Sequence, residues 1–589
     1  IATAGNGTGN WFADSFEFQS ADLGKELAAA LESLRGDATK TEDGTLAERR
    51  KTLSAAGDAL ARELKQSGQM NIRDWERFKA ESGELLAALQ FERLKQATRR
   101  NFPGADLPFA VAGADSMVKI FRSLGPGYPP FEGEAVNSLA LEAAGNETEG
   151  TQLLLIGLDD PVEITGITAS GLAGPNGALP ASRINISTVN YIDTTGMQTN
   201  YPVEFRGEWP EMLLPGAPEQ LLPHTISAVW IKVSVPAGTP PGEYRGTITV
   251  DAKGVSPLSI PLTVTVWNFS LPATPSLRTA ISTDWRNPVD YYGKLLPAGK
   301  LDEEQRRTVL DNLARFQLEN RMSPTYIYDW TCYSGKPIPY PLPDRYAEYM
   351  KAGLNAVAVA NLTPGDFGSS GADLRNWYDA ANRQQFLNES IRKNYDLAGD
   401  GGAASRLYLH AFDEVFAHKD AAAKAAVLRD LVTFWRKTTP EIKVECITYV
   451  LPELIGIVDI WCPSFTMMDK EYAKYQQRRE AGDELWLYTC LGSPAPGNPP
   501  SFVLESKAID LRMVGWLCRK FHASGFLYYE ISCWKYNYPK DGRCWPELPW
   551  HPVKEPGYNG EATLIYPARS WKEEPVSSIR FENLRDGFE

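Results

Sequence analysis

Three textures of apolar and polar positions follow one another along this chain. Between about residues 23 and 97, apolar residues recur every three to four positions in segments rich in Ala, Leu, Glu and Lys. That period predicts helices over 23–34, 46–64 and 72–97, closed by Pro103-Gly104. From about 109 to 275 the period shortens to two. Segments 162–167, 226–233, 247–250 and 262–267 alternate between Pro and Gly turns such as the one over 236–242. Several strands with regular turn signals predict an antiparallel β-sandwich.

From about 276 onwards, short apolar runs alternate with helical patterns. Candidate strands are 277–283, 322–328, 355–361, 405–412, 442–449, 457–462, 484–490 and 525–532. Helical spacing falls between most of them, at 301–320, 383–395, 421–437 and 506–521, and a last helix begins at Arg580. Eight strands with intervening helices predict a (β/α)8 barrel. The expected architecture is therefore multidomain, α/β and all-β. A helical segment (1–108) precedes a β-sandwich (109–275) and a catalytic (β/α)8 barrel (276–589). The helical segment carries no recognisable chemistry, and a homo-oligomer formed through it is allowed.

Composition narrows the partners. A chain of 589 residues is too long for one core. Its net charge of −14 argues against nucleic acid and anionic membrane. No run of eighteen apolar residues is present, so no membrane-spanning helix is expected. The polar opening Ile1-Ala2-Thr3-Ala4-Gly5-Asn6 has no secretion-signal pattern, which fits either a processed N-terminus or a sequence that starts part-way along its protein. All seven cysteines (Cys332, Cys446, Cys462, Cys490, Cys518, Cys533, Cys544) lie in the second half, and none forms a CxxC pair. Buried free thiols are the default reading, with a Cys533–Cys544 bridge open to an exported protein. Neither HxH nor HExxH occurs, so no metal is expected, and no GxSxG elbow or phosphate-binding loop is present. No cofactor is called for.

The candidate chemistry sits in Leu407-Tyr408-Leu409-His410-Ala411-Phe412-Asp413-Glu414, an apolar run ending in two adjacent acids. A run of this kind reads as a buried parallel strand, the fourth of the barrel. Its acids then lie at the C-terminal mouth, where barrels place catalytic groups. The other strand ends supply Asp284 and Trp285, Tyr328 and Asp329, Asn361, Tyr449, Trp461, Tyr488, and Tyr529 with Glu530 and Trp534 beyond. With His410, these make a rim of rings and hydrogen-bonding groups suited to a sugar. Glycoside cleavage ordinarily sets two carboxyl groups on either side of the bond. Adjacent acids rarely straddle a sugar. They suit a substrate-assisted reaction in which the sugar's 2-acetamido oxygen is the nucleophile, Glu414 the acid and base, and Asp413 the group holding the acetamido nitrogen. Two alternatives stay open: a glycosidase for another sugar with Glu530 or Asp329 as nucleophile, and a non-catalytic carbohydrate-binding protein.

The order of several short motifs resembles the family 123 glycoside hydrolases. In the sandwich these are the stretches 139–153 and Thr239-Pro240-Pro241-Gly242-Glu243-Tyr244-Arg245-Gly246-Thr247-Ile248. In the barrel they are His410-Ala411-Phe412-Asp413-Glu414, Trp486-Leu487-Tyr488-Thr489-Cys490, Gly525-Phe526-Leu527-Tyr528-Tyr529 with Trp534, Leu564-Ile565-Tyr566-Pro567, and the stretch 578–589. The resemblance covers roughly 134–589. It implies a retaining β-N-acetylgalactosaminidase, with Asp413 and Glu414 in the substrate-assisted roles above. A glycan or glycoconjugate substrate and a secreted, periplasmic or cell-surface location go with it. Glu530 stands where that pattern leads one to expect an aromatic or small residue.

Overall fold

The computed structural model describes residues 44–65, 72–125, 127–361, 383–399, 403–411, 413–414, 421–437, 439–491, 500–540, 543, 545 and 547–589, with a few positions between 24 and 32. Most of the helix expected over 23–34 lies outside the described residues, as do Phe412 and Cys544. Helices Gly44–Leu64 and Ile72–Asn101 pack together through Leu53, Leu60, Trp75, Phe78, Leu85 and Leu89. Further along the second helix, Leu94 is buried against Ala110, Ala112, Leu154 and Ile156 of the sheet that follows. The helix therefore covers an apolar sheet face that would otherwise meet water.

The sandwich is antiparallel, as expected from its period-two pattern. One sheet runs Glu134–Ala135, Phe109–Asp115, Glu147–Gly157, Ile226–Val235, Ile184–Asp193, Glu208–Pro215. The other runs Gln220–Leu221, Val162–Ala169, Gly242–Ala252, Leu258–Ser270, Leu139–Gly145, with two short strands beside it. The last two strands of that order pair in parallel. Alternation is clearest in Leu258–Ser270, where Leu258, Ile260, Leu262, Val264 and Val266 face the core. They pack against Val111, Leu153, Leu155, Val229 and Ile231 of the facing sheet.

The barrel strands are β1 (Arg278–Ser282), β2 (Pro324–Thr325), β3 (Val357–Asn361), β4 (Leu407–His410), β5 (Lys443–Cys446), β6 (Ile460–Trp461), β7 (Glu484–Thr489) and β8 (Gly525–Tyr528). All pairings are parallel, in the order β2-β1-β8-β7-β6-β5-β4-β3. The ring is nearly closed. Side chains stitch the remaining seam between β2 and β3: Ala358 N–H donates to Thr325 Oγ1 (3.0 Å) and Ser323 Oγ to Asn355 Oδ1 (2.7 Å). Helices Arg286–Leu295, Glu303–Glu319, Tyr346–Lys351, Arg383–Gly399, Ala421–Trp435, Met468–Glu480 and Ala508–Lys520 surround it. Glu303–Glu319 starts in a capping box between Asp302 and Gln305. Between β5 and β6 stands only the single turn Pro452–Leu454.

A final helix, Ile579–Phe588, is capped by Ser578 and buried almost throughout, charges included. Arg580 pairs with Glu211 of the sandwich (2.6 Å), both fully buried, and Glu582 receives Lys232 from the sandwich (2.9 Å). Arg512 reaches both Asp586 and Glu149 (3.3 Å each). Buried charges of this kind are tolerable only when paired. The helix thus joins barrel to sandwich through ion pairs that neither could complete alone.

Candidate active site

β4 is buried on both faces, which is why its sequence reads as an unbroken apolar run. The strand pairing continues one residue beyond it, where Ala411 N–H donates to Glu445 O (2.7 Å). Asp413 and Glu414 follow at the barrel mouth. Glu414 has a φ of 48°, in the left-handed region. A non-glycine residue held there costs on the order of 1–3 kcal/mol, and such strain gathers at functional sites.

The two acids are held by different neighbours. Asp413 is buried and accepts from the Tyr328 hydroxyl, beyond β2, at Oδ2 (2.9 Å). Glu414 is more open and accepts from the Tyr488 hydroxyl of β7 at Oε1 (2.6 Å), with Cys490 Sγ 3.8 Å from the same oxygen. Burial pushes the Asp413 carboxyl up to about 6; His410 and Tyr328 pull it down while Glu414 and Glu445 add to the rise. Burial likewise raises the Tyr328 and Tyr488 hydroxyls, so both remain protonated donors. Tyr529, after β8, is buried near Tyr328 and Cys490, and its ring carries Lys554 Nζ at 4.3 Å. Its hydroxyl has no hydrogen-bond partner among the described residues.

A second cluster occupies the ends of β1, β2 and β8. Asp284 grips Arg286 (2.7 Å), whose guanidinium lies over the Tyr326 ring. Trp285 Nε1 donates to Asp329 Oδ2 (2.9 Å), and Thr331 N–H donates to Asp329 Oδ1 (2.7 Å). Glu530 accepts from Asp284 N–H at Oε2 (2.8 Å), and from Ser532 N–H (2.5 Å) and hydroxyl (2.9 Å) at Oε1. Burial, then the neighbouring Asp284, lifts its carboxyl to about 7. Both oxygens of each of these last two acids are therefore engaged in shaping loops.

Not every residue read from the strand ends faces the mouth. Trp461 is fully buried and donates to Asp483 (2.7 Å), just ahead of β7 at the opposite end of the barrel. Trp534 is fully buried, donates to Ile565 O (2.9 Å) and packs against Tyr291 and Trp550. These two rings build core. Trp330, next to Asp329, is by contrast 43% exposed. Asn361 is buried at the end of β3, where its carbonyl accepts from the Tyr333 hydroxyl (2.9 Å), and Tyr449 lies partly exposed beyond β5. His410 is fully buried and meets Glu445 of β5, a partner that reading strand ends alone had passed over. The available signal was an acid set between the apolar Val444 and Cys446. Cys533 is a buried free thiol, and Cys544, its possible partner, lies outside the described residues. No helix among the described residues is long and apolar enough to cross a membrane, and no cluster there could hold a metal ion.

The barrel mouth carrying the tyrosine-held carboxylate pair is the face where barrel enzymes place their catalytic groups. Residues 406–589 match the glycoside hydrolase 123 catalytic domain, and residues 128–252 match the glycoside hydrolase 123 N-terminal domain. The chain belongs to glycoside hydrolase family 123. A family 123 glycoside hydrolase from Clostridium perfringens, described for its hydrolysis of glycolipid glycans, is similar in fold with a TM-score of 0.58. It is 16% identical over 82% of this chain and 87% of its own. A family 5 xyloglucanase from Bacteroides ovatus aligns over 76% of this chain and 98% of its own, at 11% identity and a TM-score of 0.27. A search of curated proteins gave no significant match.

Proposed function

We propose that this glycoside hydrolase is a retaining β-N-acetylhexosaminidase, acting on β-linked N-acetylgalactosamine through an oxazolinium intermediate. The division of labour between the adjacent acids carries the reading. Glu414, open to the mouth, protonates the leaving oxygen as the substrate's acetamido oxygen attacks the anomeric carbon. It then takes a proton from the water that opens the oxazolinium ring, restoring the configuration. Asp413, buried and aligned by Tyr328, accepts the acetamido N–H and offsets the positive charge of the ring. The glycolipid glycan named for the Clostridium perfringens relative supports a glycoconjugate as the substrate class.

A thiazoline of N-acetylgalactosamine, which mimics the intermediate, is expected to inhibit cleavage of 4-nitrophenyl β-N-acetylgalactosaminide about 10²-fold or more below the substrate's KM. Inhibition no better than that by free N-acetylgalactosamine would sink the substrate-assisted reading.

The engaged oxygens of Glu530 speak against a protein nucleophile. Glu530→Gln should keep kcat within about tenfold of wild type and lower Tm, because it weakens buried hydrogen bonds rather than the chemistry. A 2-fluoro glycoside should leave Glu530 unlabelled; a covalent adduct there, found by peptide mass spectrometry, would replace this mechanism with the two-carboxylate one.

A further inference from the structure

Beneath the two acids the barrel interior holds a second ionisable pair that the chemistry above leaves unused. His410 of β4 and Glu445 of β5 are direct neighbours in the parallel register, and both are fully buried. His410 Nδ1 lies 2.6 Å from Glu445 Oε2, while His410 Nε2 has no partner among the described residues. Burying two ionisable groups with one ring nitrogen unsatisfied is costly, and an apolar pair would fill the same space more cheaply. The pair's position suggests what the cost supports. His410 stands three residues before Asp413, and its ring meets the Tyr328 ring edge-on at 6.2 Å. The Tyr328 hydroxyl is the one that donates to Asp413.

We propose that His410 and Glu445 form a positioning dyad, an imidazolium clamped by a carboxylate, that keeps Asp413 ionised and aligned from below. The proposal rests on the reading of Asp413 given above. The titratable groups against the dyad are Asp413 beyond β4, Tyr408 within it, Tyr328 beyond β2 and Cys462 beyond β6, while Glu414 and Tyr488 surround Asp413 in turn. Burial disfavours a charged His410, but the charge and hydrogen bond of Glu445, with Asp413 behind it, raise the imidazole above its ordinary range. In return the His410 charge draws the Asp413 carboxyl down against burial and two neighbouring acids. Without that cation, Asp413 would hold its proton to higher pH and could not accept the acetamido N–H there.

Five histidines make the ring signals of the full chain, labelled with ¹³C at histidine Cε1, separable by NMR. His410 is assigned by the signal lost in His410→Gln. It is expected to stay an imidazolium above the ordinary histidine range, about pH 6.5. In Glu445→Gln its midpoint should fall by at least about one unit, and the acidic limb of kcat/KM for 4-nitrophenyl β-N-acetylgalactosaminide should rise by about one unit, with activity recovering at higher pH. Asp413→Asn removes a facing charge and should lower the same midpoint, which provides a second variant if Glu445→Gln does not fold. A His410 signal that is neutral from about pH 5 to 8 overturns the dyad. So does an unmoved acidic limb in folded Glu445→Gln when Asp413→Asn is inactive. Wild-type turnover by Asp413→Asn would instead overturn the role given to Asp413 itself.

Discussion

Glu414→Gln is expected to lower kcat on an alkyl β-N-acetylgalactosaminide by about 10²- to 10⁴-fold, the usual worth of a positioned general acid and base. The amide keeps a carbonyl oxygen for the Tyr488 hydroxyl, so the left-handed backbone at 414 and the mouth around it should persist. The proton, not the shape, is what disappears. A nitrophenolate leaves without protonation, so the first step on an aryl glycoside should suffer less than on an alkyl one. Oxazolinium hydrolysis should then become limiting, and a burst of nitrophenol should precede the steady state. Stopped-flow release from both substrates checks this. Unchanged turnover of the alkyl glycoside would remove Glu414 from the acid role.

Asp413→Asn should reduce kcat on acetamido sugars by about 10²- to 10³-fold, comparable to removing one preorganised group from a developing charge. The corresponding 2-hydroxyl glycosides, which are poor substrates throughout, should lose little. The sign of the pH dependence follows from burial. The carboxyl is lifted to about 6 and must be ionised to receive the acetamido N–H. Wild-type kcat/KM should therefore fall as pH drops through about 6, with a slope of one proton. In Asp413→Asn that limb should vanish. Equal losses on acetamido and 2-hydroxyl sugars would mean that Asp413 acts on something other than the acetamido group.

The eight barrel strands were legible because a strand covered on both faces is mostly apolar, and each short run stood between turn or helix signals. The sandwich was legible for the opposite reason: its strands alternate, as in Leu258–Ser270. Helix Met468–Glu480 escaped because it buries little more than Met468 and Tyr475, too few positions to set a period. At the site, sequence pointed to Asp413 and Glu414 and to the tyrosines at the ends of β2 and β7 that bind them. It misjudged Trp461 and Trp534, since a ring near a strand end is equally suited to the sheet's outer packing. The His410–Glu445 contact left only the acid within β5 as a trace, because pairing the two depends on the register between strands thirty-five residues apart.

The ion-paired helix Ile579–Phe588 bears on how this enzyme can vary through evolution or engineering. A barrel is often treated as a portable catalytic unit whose neighbours can be exchanged. Here Arg580 would leave its carboxylate behind on the sandwich, and Lys232 would lose Glu582. Recombination at the linker would thus strand charges on both halves, and a foreign partner would have to bring complementary ones to the same places. A change of glycan specificity is therefore more readily reached through the loops at the barrel mouth than by exchanging the sandwich.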